Sequence, residues 1–77
     1  MDAMTHRLDI ADLAGRLVTE FAGVLVPGQV MRLVYQADRL VRRSAASADD
    51  PVVLCEQIAR RLLDDRVVHE ARRGRVA

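Results

Sequence analysis

The sequence predicts an all-α fold: a three-helix bundle that pairs with a second copy of itself. Three observations predict it. Apolar residues recur at three- and four-residue steps in three separate segments. Two breaks rich in Pro, Gly and Asp divide those segments. The apolar half of the chain is mostly Ala, Val and Leu, with only Phe21 and Tyr35 as aromatics; that composition suits closely packed helices better than a ligand pocket, which needs aromatic walls and converging polar groups. At 77 residues the chain holds one small domain. A domain of this size buries only about 60% of its unfolded surface, so cover from a partner adds stability.

The first helix is expected over residues 9–22, after a flexible N-terminus over 1–8. Ile10, Leu13, Ala14, Leu17, Val18 and Phe21 share one helical face. Asp9 reads as the N-terminal cap, with Asp12 adding negative charge to the first turn. Gly15 weakens the segment by about 1 kcal/mol relative to Ala, and Gly23 follows as the expected C-terminal stop. The connector Val24-Leu25-Val26-Pro27-Gly28 is unusually apolar for a loop and must cover either the core or a partner.

The second helix is expected over residues 29–45. Val30, Leu33, Val34, Ala37, Leu40, Val41 and Ser44 make a stripe close to two heptads long. Asp38 precedes Arg42 by four residues, the favourable order for a pair worth about 0.3 kcal/mol. After the break at residues 44–50, Asp49 or Asp50 caps a third helix, Pro51 fits its first turn, and the helix runs to about residue 71. Leu54, Cys55, Ile58, Ala59, Leu62 and Leu63 form its apolar band, widened by Val52, Val53, Val67 and Val68. Glu56 stands four residues before Arg60. Residues 72–77 read as a frayed basic tail.

Composition narrows the function classes. All twelve basic residues are Arg, against eleven acids, and the formal net charge is +1. That balance argues against a dominant polyanion-binding role. The arginines from Arg39 to Arg75 are interleaved with Asp38, Glu56, Asp64, Asp65 and Glu70, so a solvated charged face is expected; a small helical nucleic-acid-binding regulator is the alternative. A single cysteine makes no disulfide framework, and the start of the chain has no apolar core of a signal peptide, so a cytoplasmic setting is expected. The apolar runs are far shorter than the about 20 residues of a membrane span.

Cys55 and Arg61 have the Cys-x5-Arg spacing of a phosphate-cradling catalytic loop. The five residues between them hold no Gly, Ser or Thr and read as helix, which commits the amides such a loop needs. Cys55 is read instead as a small buried hydrophobe. His6 and His69 are the only histidines and form no zinc pattern. No enzyme activity, cofactor or metal is expected.

The apolar surplus carries the functional expectation. A narrow three-helix core does not accommodate every Val and Leu, and exposed apolar patches mark interaction sites. The homodimer interface is placed on Val26, Val30, Leu33, Val34 and Ala37, and on Val52, Leu54, Cys55, Ile58 and Leu62.

Over residues 9–71 the chain resembles a family of actinobacterial three-helix dimerisation domains. The likeness rests on Leu13 through Phe21-Ala22-Gly23, on Val30 with Leu33-Val34, and on Pro51 leading to Ile58-Ala59-Arg60-Arg61-Leu62. In that family the domain often precedes a low-molecular-weight phosphatase or arsenate-reductase-like domain and has no catalytic residues of its own. The resemblance implies self-association, with a phosphatase- or arsenate-reductase-like partner as a further expectation.

Overall fold

The computed structural model describes residues 3–44 and 50–75. Three helices make up the fold, α1 (Ala3–Glu20), α2 (Pro27–Ser44) and α3 (Pro51–Arg75), with no strand among the described residues. The all-α three-helix bundle is therefore what the chain adopts.

Each helix end has a local cause. α1 stops where Gly23 takes φ +84°, a left-handed conformation that costs glycine little. The Phe21 carbonyl then accepts the N–H groups of Val24 and Leu25 at 3.1 and 3.0 Å. Leu25 turns into the core while Val24 and Val26 face out, so one of the connector's three apolar residues covers the core and the other two are open to solvent. The Val26 carbonyl accepts the N–H groups of Gln29 and Val30, and Pro27 occupies the first helical position, where a missing N–H goes unused. At the third start, Asp50 Oδ1 accepts from the N–H groups of Val52 and Val53 at 3.1 and 3.3 Å, with Pro51 again first in the helix. Asp50 is thus the cap; Asp49 lies outside the described residues.

Two boundaries differ from the sequence expectation by more than two residues, while α1 ends at Glu20, two residues early, and α2 begins at Pro27, which was expected in the connector. α1 begins at Ala3, so Asp9 is an interior residue and not a cap, and most of the expected flexible N-terminus is helical. The extra turns are anchored by His6, whose Nε2 lies 2.8 Å from Asp38 Oδ1 on α2. α3 runs to Arg75, through most of the expected tail.

α2 is the central helix. It packs most extensively on α3, then on α1, while α1 and α3 meet only slightly. The core is Ile10, Leu13, Ala14 and Leu17 of α1, Val30, Leu33, Val34, Ala37 and Val41 of α2, and Cys55, Ala59 and Leu63 of α3, closed at one end by Leu25. The molecule is long and narrow, 47 × 21 × 14 Å, with a radius of gyration of 13.5 Å, against about 11.5 Å for a compact chain of this length. The cause is α3, which has 25 residues to the 18 of each neighbour. Leu63 is its last fully buried residue, and Ala71, Arg72 and Arg73 are exposed.

Candidate interaction surfaces

The residues expected at a dimer interface divide into two groups. Val30, Val34, Ala37 and Cys55 are covered by the chain's own helices and present no surface, and Leu33 is buried but for an edge at a groove between α2 and α3. From Val30 to Val41 the α2 stripe faces inward, because α2 has a neighbour on either side, except at Leu40, which is 40% exposed. Val52, Leu54, Ile58 and Leu62 are only partly covered, and Val26 is exposed.

Leu54, Ile58 and Leu62 do come together. At four-residue spacing they form one ridge along α3 and line a shallow groove with Gln57 and Arg61. The next groove along the same helix, shared with α2, is lined by Leu62, Asp65, Arg66 and His69 together with Leu33 and Gln36. The α3 ridge is therefore flanked by both signs of charge.

A second surface lies between α1 and α2, and the sequence did not point to it. Its base is the buried pair Ile10 and Asp38, and Leu8, Ala11 and Tyr35 line it while open to solvent. Arg7, Arg32, Arg39 and Arg42 also line it. The Asp38 carboxylate takes His6 on one oxygen and Arg42, at 3.1 Å, on the other. The Asp38–Arg42 pair read from the sequence is therefore present, with His6 as a second partner that the sequence spacing did not show. The available signal was Met4, Leu8, Ala11 and Gly15, which recur at four- and three-residue steps on a second face of α1.

The spacings that suggested chemistry resolve structurally. Six residues of α-helix turn Arg61 about 240° from Cys55, which leaves Arg61 exposed and Cys55 fully buried. The Cys55 thiol donates weakly to the Val34 carbonyl at 3.8 Å. Burial foremost, then the charges of Asp38 and Glu56, push the thiol up to about 11, far from a reactive thiolate. Among the described residues no group of three or more His, Cys, Asp and Glu side chains is placed to hold a metal ion. No helix among them is long and apolar enough to cross a membrane.

The strongest ion-pair cluster is structural. Arg60 binds both carboxylate oxygens of Glu20 and donates from Nε to Glu56 at 3.0 Å. The pair ties the end of α1 to α3, the two helices that touch each other least. The Arg60 hydrogen bond holds Glu20 below the usual carboxylate range. It also offsets the unfavourable placing of an acid at a helix C-terminus.

Compared with known proteins, the chain matches no family model, no curated protein and no solved structure.

Proposed function

We infer that the chain is a non-catalytic self-association module in which a second copy covers apolar side chains that one copy leaves in water. The carrying observation is the α3 ridge of Leu54, Ile58 and Leu62, half-covered by the core and lining an outward groove. Large apolar side chains are also open elsewhere, among them Val26 at 60% and Val53 at 49%. Single exposed hydrophobes are ordinary, but a continuous ridge is not.

The charges favour a second copy on this face. Arg61 and Asp65 stand four residues apart beside the ridge. A two-fold contact sets each residue against its counterpart's neighbour, so a face carrying both signs complements itself. Two ridges built on four-residue spacing interdigitate at a crossing angle of about −50°. The resemblance to three-helix dimerisation domains supports the same reading, and it adds a phosphatase- or arsenate-reductase-like protein as a further partner. A lone reduced thiol suits the cytoplasm.

Light scattering tests this across micromolar concentrations. The expected mass is twice the 8.6 kDa of one chain, with a melting temperature that rises with concentration. Arg61→Glu changes an exposed residue and leaves two acids facing two acids across the axis. It should shift the mass toward one copy while preserving helical circular dichroism. A single-copy mass throughout, with a concentration-independent melt, overturns the reading.

A further inference from the structure

The groove between α1 and α2 lies outside the self-association reading, and its chemistry selects a different occupant. Leu8, 65% exposed, Ala11 and Tyr35 give it an apolar lining. Guanidiniums border that lining from both helices. The one carboxylate in the groove, Asp38, is already engaged by His6 and Arg42. Arg7, Arg32 and Arg39 have no carboxylate partner among the described residues. The surface is locally cationic in a chain whose formal net charge is +1.

We propose that this groove docks an acidic amphipathic helix of another protein, with apolar side chains on Leu8, Ala11 and Tyr35 and carboxylates on Arg7, Arg32 and Arg39. The sign of the charge decides against a second copy here, because two identical grooves set face to face oppose arginine to arginine. The length fits a helix: Arg32 to Arg42 covers about 15 Å of α2, close to three helical turns. A partner helix of that length presents apolar anchors at i, i+3 or i+4, and i+7 to the lining. Glu side chains flanking the anchors then meet the guanidinium forks, which bind carboxylates bidentately. The apolar lining decides against a nucleic acid. Phosphates satisfy the arginines but leave Leu8 and Ala11 against a polyanion, and Tyr35 is the groove's one aromatic for a base to stack on.

The test uses a fluorescein-labelled amphipathic peptide of about 15 residues, with Leu anchors flanked by Glu, titrated with the whole chain by fluorescence anisotropy. A control peptide carries Lys at every Glu position. The expected result is binding of the Glu peptide and not the Lys peptide, weakening as salt is raised. The double variant Arg32→Glu/Arg39→Glu alters exposed residues only; it should weaken binding about tenfold or more with helicity and solution mass unchanged. Arg61→Glu should leave peptide binding intact, which separates this groove from the self-association face. Equal binding of both peptides, no binding at low salt, or indifference to the double variant overturns the proposal. Tighter binding of a mixed-sequence DNA duplex, competing with the peptide, reassigns the groove to a polyanion and also overturns it. The peptide-charge and salt comparisons need no variant to fold.

Discussion

Cys55 shows how one buried side chain couples this fold to solution conditions. In the unfolded chain its thiol ionises near the ordinary value of about 8.5; in the fold it holds its proton to about 11. Below the lower value both states carry the proton and the thiol contributes no pH dependence. Between the two values only the folded state carries it, so the unfolded state binds fewer protons and stability falls as pH rises. Urea midpoints measured from about pH 8 to pH 10.5 should therefore decline more steeply in the native sequence than in Cys55→Ala. Alkylation by iodoacetamide should be slow in the folded chain and fast in urea; rapid labelling of the native protein contradicts the burial. Asp38 is the other buried polar group of consequence, at 5% exposure. A buried carboxylate is tolerated only when paired, and its two partners, His6 and Arg42, come from different helices. The contact of His6 with Asp38 therefore ties the start of α1 to α2.

At the scale of the helices, two glycines with equal space and opposite backbones make a paired prediction. A methyl group added at Gly15 or at Gly23 meets nothing within 4 Å, so sterics decide neither case. Gly15 is interior to α1, and Gly15→Ala should stabilise by about 1 kcal/mol. Gly23 holds φ +84°, and Gly23→Ala should destabilise by a similar amount, about 1 kcal/mol. Thermal denaturation of the two variants checks the signs; a shift in the same direction for both defeats the argument. The element ends that were legible in the sequence were those with local chemistry, Gly23 and Pro51 preceded by Asp50; Pro27 was read as a breaker in the connector and is instead the first residue of α2. The start of α1 was not legible, because Asp9 mimics a cap and the true anchor is a contact to α2, 32 residues away in sequence. The same limit applies to the surfaces. Leu54, Ile58 and Leu62 share one helix and their spacing is visible. The arginine-bordered groove takes its residues from two helices, and its character depends on Asp38 being enclosed, which no spacing reveals. The α2 stripe was visible too, but a stripe alone does not say whether it meets another helix of the same chain or of a second one.

For the molecule as a whole, the arrangement around α2 predicts an ordered loss of structure. α2 is flanked on both sides, α1 and α3 touch least and are bridged by the exposed Arg60–Glu20 pair, and α3 continues past its last fully buried residue, Leu63. Local opening is easiest where buried apolar contacts are few. In native-state hydrogen exchange the last turns of α3 should exchange first and the middle of α2 last, near the global unfolding free energy. Uniform protection along α3 contradicts this. The two exposed surfaces lie on different sides of that central helix: one belongs to α3, and the other to α1 and α2.

The placing of α2 also bears on how quickly the chain finds this arrangement. Nearly all packing is between helices that are neighbours in sequence, so the search reduces to closing two hairpins that share one arm. Loops this short cost little entropy to close, and helical proteins dominated by such contacts reach the native state in microseconds to milliseconds. A chain this small, with so thin a core, thereby spends little time with its aliphatic side chains unguarded against neighbouring molecules.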